Sequence, residues 1–218
     1  MNTIAVVFDM DGVIVDTNPF HLITYRAFWN KYGVFPTDPD LALNLYGKTN
    51  RYILEHFFGR ELSKEEVLKY EDEKESLFRE VYEPHVQPIA GLMTFLADLK
   101  KNNVATGIAT SAPRPNLDLI LGKIPLATIM ESMLSSEDVP LHKPNPLVYT
   151  KSMENLGVNP NRTVIFEDSS AGVLAGRASG AKVVGVLTSH QPHELPPCDA
   201  YIKDYQDFNF QNILDLLG

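Results

Sequence analysis

Ile4-Ala5-Val6-Val7-Phe8-Asp9-Met10-Asp11-Gly12 is the stretch from which the fold can be read. Its first five residues are apolar and rich in β-branched side chains, too short a run for a helix, and an acid interrupts them. That is the pattern of a buried strand. Along an extended chain alternate side chains share a face, so Asp9 and Asp11 lean the same way, and Gly12 lets the chain turn sharply. Ligands of open α/β sheets gather beyond the carboxyl ends of strands, which makes this strand end a candidate site. An EF-hand loop is excluded, because Ile14 stands where that loop needs glycine.

Similar runs recur at Val104 to Ala109, Thr163 to Phe166 and Val183 to Leu187, and more weakly around Met130 to Leu134 and Ala200 to Ile202. Helical patterns separate them. Leu92, Phe95, Leu96 and Leu99 repeat at helical spacing, and so do Ala171, Leu174, Ala175 and Ala178 ahead of Gly180, a C-terminal cap. The second face is small and is expected to pack close to a sheet. Strand and helix alternating in this way predict an α/β fold: a doubly wound parallel sheet, Rossmann-like, with helices on both faces. Residues 18–85 break the rhythm with a helical, aromatic segment that is highly charged between Glu61 and Glu83, a run expected to form solvated helix faces. One strand precedes this segment and the others follow it. Residues 1–17 and 86–218 are therefore expected to form the core, with 18–85 inserted as a helical domain and Pro84, Pro88 and Gly91 in the return linker.

The length of 218 residues lies between one average domain and two, which suits a core with a smaller insertion. Hydrophobic residues make up 44% and charged residues 22%, a balance that excludes wholesale disorder. Lys and Arg total 19 against 28 Asp and Glu, a net charge of -9, which argues against a nucleic-acid or anionic-membrane binder. Phosphates remain accessible to such a chain if a metal ion or a few placed cations supply local positive charge. The single cysteine, Cys198, has no internal disulfide partner and no zinc-like spacing. No apolar run approaches the ~18 residues of a membrane span. The expected setting is cytoplasmic, with no membrane and no obligate protein partner.

Three further groups join the Asp9/Asp11 pair. Thr110-Ser111 ends a strand, where short hydroxyls and free backbone N–H groups can cradle a phosphate. Lys143 sits in the proline-stiffened Lys143-Pro144-Asn145-Pro146 loop before a helical pattern. Glu167-Asp168-Ser169-Ser170 places a second acidic pair at another strand end, the oxygen-rich pattern that hard cations such as Mg2+ prefer. Singly, each has a plain structural reading as a turn, a surface lysine or a helix cap.

Taken together and in order, these motifs resemble those of the haloacid dehalogenase-like superfamily. The resemblance spans the chain: Asp9 to Thr17, Thr110, Lys143 in Lys-Pro-Asn-Pro, and Glu167 to Gly172. The insertion after the first motif is similar to the small helical cap of the subgroup containing β-phosphoglucomutase and many sugar-phosphate phosphatases. The resemblance implies that Asp9 is the nucleophile and Asp11 the general acid and base. It implies that Asp9, the Asp11 carbonyl and Asp168 hold Mg2+, with Glu167 in support. Thr110, the Ser111 backbone and Lys143 would bind phosphoryl oxygens. His21, Lys48, Asn50, Arg51 and Lys74 in or beside the cap, and Arg114 after the hydroxyl loop, become candidates for substrate contact.

A Mg2+-dependent phosphatase of a small phosphorylated metabolite is the leading expectation, and a sugar-phosphate mutase the alternative. Where the mutases carry an arginine after the cap's Gly-x-Ser motif, Asn50 stands here, with Arg51 one step later. Their Ser-Lys-Asn after the hydroxyl loop is replaced by Ala112-Pro113-Arg114. Two other readings give way. Gly47-Lys48-Thr49 lacks the P-loop's earlier glycine, since position 42 is Ala42. A phospho-accepting receiver module would have adjacent acids, a phosphoacceptor on a later strand and no helical insertion.

Overall fold

A computed structural model describes residues 4–44 and 50–218; Lys48 and the Gly47-Lys48-Thr49 triplet lie outside the described residues. The chain divides into two compact units, Met1–Asp16 with Val86–Gly218, and Thr17–His85.

In the first unit, β1 (Ala5–Phe8), β2 (Ala105–Ala109), β3 (Ser132–Leu134), β4 (Thr163–Glu167), β5 (Lys182–Val186) and β6 (Ala200–Ile202) form one parallel sheet in the order β3-β2-β1-β4-β5-β6. Every residue of β1, β2 and β4 is buried, which is why these strands read as largely apolar runs rather than alternating ones. The order reverses between β1 and β4, and a crevice for ligands opens at the carboxyl ends beside such a switch. Register does the rest. Phe8 lies opposite Ile108 on one side and Phe166 on the other, and the Asp9 N–H continues the ladder to the Phe166 carbonyl at 3.0 Å. The residues that follow, Asp9, Ala109 and Glu167, therefore emerge at one level.

Alternation assigns the faces. Val7 and Ile165 point into a core layer with Val148, Tyr149 and Met153 of a helix at Leu147–Leu156 and Ala175 of a helix at Ser170–Ala178. Phe8 and Phe166 point the other way, stacked at 5.1 Å, and meet Phe95 of the helix Leu92–Lys101 and Tyr205. Leu92, Phe95, Leu96 and Leu99 are all buried, as their spacing predicts.

The face of the Ser170–Ala178 helix departs from the periodicity. Gly172, Val173, Ala175 and Gly176 are buried there, while Leu174 is 48% exposed and Ala178 faces solvent. A count of apolar side chains passes over glycine, yet glycine is what lets this helix lie on the sheet. A Cβ at Gly176 would come within 2.9 Å of Val183 Cγ2.

In the second unit, helices at Asn18–Lys31, Asp38–Asn44, Asn50–Phe58 and Lys64–Tyr82 enclose their own core of Tyr25, Phe28, Trp29, Leu41, Ile53, Leu54, Phe57, Leu62 and Val67. In chain order the helices are α1 to α4 here, then α5 (Leu92–Lys101), α6 (Arg114–Lys123), α7 (Leu147–Leu156), α8 (Ser170–Ala178) and α9 (Phe210–Leu217). Ser63 and Glu66 start α4 with a reciprocal capping box. The charge run is not wholly solvated. Lys74 is buried, with its Nζ 4.5 Å from the centre of the Tyr25 ring, 3.2 Å from His21 Nδ1 and 2.7 Å from Glu75 Oε1. An aromatic surface and a carboxylate partner offset the cost of burying its charge.

Candidate active site

Asp9, Glu167 and Asp168 are buried, and each offers a carboxylate oxygen within 4.8 Å of the others. Sheet register brings the first two level, and the turn out of β4 adds the third. Lys143 enters from the loop ahead of α7. Its ammonium donates to Asp9 Oδ1 at 2.6 Å, to the Ala109 carbonyl at 3.0 Å and to Glu167 Oε1 at 2.7 Å. Those bonds account for the three protons of an ammonium. The Tyr149 ring lies under it, 4.7 Å from Nζ, and the Tyr149 hydroxyl donates to Glu167 Oε1 at 2.6 Å. Glu167 Oε2 accepts the N–H groups of Asp168 and Ser169 and the Ser169 hydroxyl. Both Glu167 oxygens are thus held by protein donors, and this carboxylate orients Lys143 and the start of α8.

The electrostatics are lopsided. Burial pushes the Asp9 carboxyl well above its ordinary value; Lys143 pulls it down, and Glu167, Asp11 and Asp168 push it up again. Burial alone would lower Lys143, but Asp9 and Glu167 override it and raise it, so the ammonium stays protonated. Burial and the neighbouring carboxylates also raise Tyr149 far above its usual value, which keeps it a phenol donor. Among the described residues, one cation, Lys143, is bonded into the cluster of Asp9, Glu167 and Asp168. A second, compact, oxygen-seeking positive charge fits that deficit, and the donor set of buried carboxylates is the one hard divalent ions prefer.

Two glycines permit these approaches. Gly12, at φ +73°, follows Asp11 in a turn where the Met10 carbonyl accepts the Ile14 N–H at 2.8 Å. A Cβ there would lie 2.1 Å from Asp168 Oδ2, and one at Gly172 would lie 1.7 Å from Glu167 Oε1.

Thr110 is buried at the end of β2, and its hydroxyl oxygen accepts the Ala112 N–H at 3.0 Å; Ser111 is exposed beside it. Arg114, at the start of α6, is tied through Nε to Asp118 at 2.8 Å. Within the helical unit, Arg51 Nη1 donates to Glu55 Oε1 at 2.7 Å and to the Leu62 carbonyl at 2.8 Å, which braces the α3–α4 loop. Burial raises the Glu71 carboxyl above its ordinary value, and the Asn50 side chain opposes that rise. His21 stacks on Phe78 with ring centres 4.0 Å apart and joins Lys74 as described. Tyr149 was not legible as a site residue, because nothing marks a helical tyrosine until the strand it packs on is known. Thr188, Ser189 and His190, which reach Gly12 and Asp168, were missed for the same reason.

Residues 6–186 match the family model described as haloacid dehalogenase-like hydrolase. The chain belongs to the haloacid dehalogenase-like hydrolases. It is similar to the phosphorylated carbohydrates phosphatase of Thermotoga maritima, 30% identical over 85% of this chain and 86% of the other. It is also similar to the validoxylamine A 7'-phosphate phosphatase of Streptomyces hygroscopicus subsp. limoneus, 25% identical over 94% of this chain and 96% of the other. Among solved structures, a haloacid dehalogenase family IA hydrolase from Entamoeba histolytica superposes with a TM-score of 0.92 at 26% identity, covering 99% of both chains. This haloacid dehalogenase-like hydrolase carries its helical insertion α1–α4 directly after β1. Among its described residues, no helix is long and apolar enough to cross a membrane.

Proposed function

We propose that this hydrolase is a Mg2+-dependent phosphatase acting on small phosphomonoesters, sugar phosphates foremost, through an aspartyl phosphate on Asp9. The observation that carries the reading is the buried Asp9 carboxylate, held by Lys143 at 2.6 Å among Glu167 and Asp168. An Asp9 oxygen attacks phosphorus, the bond from phosphorus to the ester oxygen breaks, and Asp11 delivers a proton to the departing alkoxide. Asp11 then takes a proton from water as the water oxygen attacks phosphorus and the bond to Asp9 breaks, releasing inorganic phosphate. Lys143 sets positive charge beside the attacking carboxylate. The Thr110 hydroxyl uses a lone pair on Ala112 N–H, so its proton remains to donate to a phosphoryl oxygen, beside the Ser111 backbone. Asp9, the Asp11 carbonyl and Asp168 would hold Mg2+, while Glu167 braces Lys143. Bound there, Mg2+ would neutralise charge as the phosphate dianion meets the carboxylates.

Relatives named for sugar-like phosphates support the substrate class. The mutase alternative needs a cationic grip on a second phosphate. Of the described arginine candidates, Arg51 is engaged by Glu55 and Leu62 and Arg114 by Asp118, which favours water as the acceptor. The test is free-phosphate release from an excess of each of a panel of sugar phosphates, with Mg2+ and with EDTA. Multiple turnovers that stop in EDTA and resume with Mg2+ are expected. Full activity in EDTA would overturn the metal assignment, and hexose-bisphosphate-stimulated isomerisation outpacing hydrolysis would establish the mutase. Labelling without turnover would point to a receiver-like role.

A further inference from the structure

The segment that follows β5 touches both acidic loops. Gly185 of β5 lies opposite Glu167, and the Leu187 N–H donates to the Ile202 carbonyl at 2.8 Å, so sheet pairing carries the chain to the level of the site. The Thr188 hydroxyl then donates to the Gly12 carbonyl at 2.6 Å. Ser189 Oγ lies 2.7 Å from Asp168 Oδ2, 3.0 Å from the Asp168 carbonyl and 2.7 Å from His190 Nδ1, which is itself 3.1 Å from that carbonyl. A hydroxyl has one proton to give. The short contact to a carboxylate takes it, and an Nδ1–H tautomer of His190 serves Ser189 Oγ and the Asp168 carbonyl together. The three segments meet without slack, since a Cβ on Gly12 would lie 2.1 Å from Asp168 Oδ2 and 2.9 Å from Thr188 Oγ1.

We propose that Thr188 and Ser189 are positioning residues: Thr188 ties the Asp9-to-Gly12 turn to the end of β5, and Ser189 holds the Asp168 carboxylate in its cation-binding orientation. The proposal rests on the Mg2+ reading above. A carboxylate rotates about its last torsion, which is a broad one, so a hydrogen bond at Oδ2 also sets where Oδ1 points. Partners that orient a ligand in this way change metal affinity when removed, commonly by 10-fold to 100-fold on the order of magnitude. Ser189 is exposed and supports no core packing, so its removal is expected to leave the fold intact.

The experiment is calorimetric titration of Mg2+ into the substrate-free enzyme, for wild type, Ser189→Ala and Ser189→Thr, with thermal midpoints in EDTA measured alongside. Ser189→Ala is expected to bind Mg2+ about tenfold more weakly at an unchanged EDTA midpoint, and Ser189→Thr, which keeps the hydroxyl, to restore binding. Wild-type affinity in Ser189→Ala, or failure of threonine to rescue, would overturn the role of Ser189. An EDTA midpoint that falls in Ser189→Ala without a change in affinity would make the residue structural and overturn it equally. Absence of Mg2+ binding by wild type would instead overturn the metal reading beneath it.

Discussion

Asp9 sits in a place that resists charge: burial and three neighbouring acids raise its carboxyl, and Lys143 only partly opposes them. Asp9→Asn is therefore expected to reduce turnover at least about a thousandfold while raising the thermal midpoint in EDTA, because the amide removes a buried like charge. The sign with pH follows from linkage. The folded chain binds this proton more tightly than the unfolded one, so the metal-free wild type loses stability as pH rises from the ordinary 3.8 through the raised value. The stability gap between Asp9→Asn and wild type in EDTA should widen as pH rises above the ordinary carboxylate value of 3.8, as urea titrations at each pH would measure. A gap that narrows would contradict the electrostatic account. Gly172→Ala tests the steric one. Alanine gains roughly 1 kcal/mol of helix propensity, but its Cβ would lie 1.7 Å from Glu167 Oε1. Overpacking of about 1–3 kcal/mol should win, with kcat falling as Glu167 and Lys143 shift.

Elements divide into those whose stability is local and those made by packing. The α4 start is local: Ser63 accepts the Glu66 N–H, the Glu66 carboxylate accepts the Ser63 N–H, and Arg60 pairs with Glu66 at 2.7 Å. Ser63→Ala should cost about 1 kcal/mol by urea unfolding. Arg60 first, and the Ser63 N–H second, hold the Glu66 carboxyl down at about 2 against an ordinary 4.5. The contribution of Glu66 is therefore complete above 4.5 and is lost as pH falls through about 2, so Glu66→Gln and wild type should converge in stability on acidification. The β1–β4 pair instead depends on packing, with Phe8, Phe95, Phe166 and Tyr205 in mutual ring contact. Phe166→Ala should cost about 3–5 kcal/mol and loosen the register that aligns Asp9 with Glu167. The strands and α5 were legible because apolar spacing is a local property. The packed face of α8 was not, because its close approach to the sheet rests on Gly172 and Gly176, which carry no hydrophobic side chain to count.

For the whole molecule, the expected coupling is between cation and fold. An ion bound only by the native site stabilises by mass action, about 2.7 kcal/mol at a hundredfold excess over its dissociation constant. Adding Mg2+ should therefore raise the thermal midpoint of wild type, with a slope against the logarithm of concentration that gives the affinity; a midpoint indifferent to Mg2+ would count against the site. The sequence by itself determined the alternation of strands and helices, the helical interruption after β1, and the chemical identity of Asp9, Asp11, Thr110, Lys143, Glu167 and Asp168. These are written in short-range order: a run of β-branched residues, an acid at its end, a glycine after it. Tertiary structure alone decided that Lys143, 134 positions from Asp9, comes within 2.6 Å of it. It also decided that Glu167 is held by Tyr149 and that the hydroxyls after β5 reach Gly12 and Asp168. Such contacts follow from strand order and register, which place remote segments at one level of the sheet, and no spacing along the chain records which segments those are.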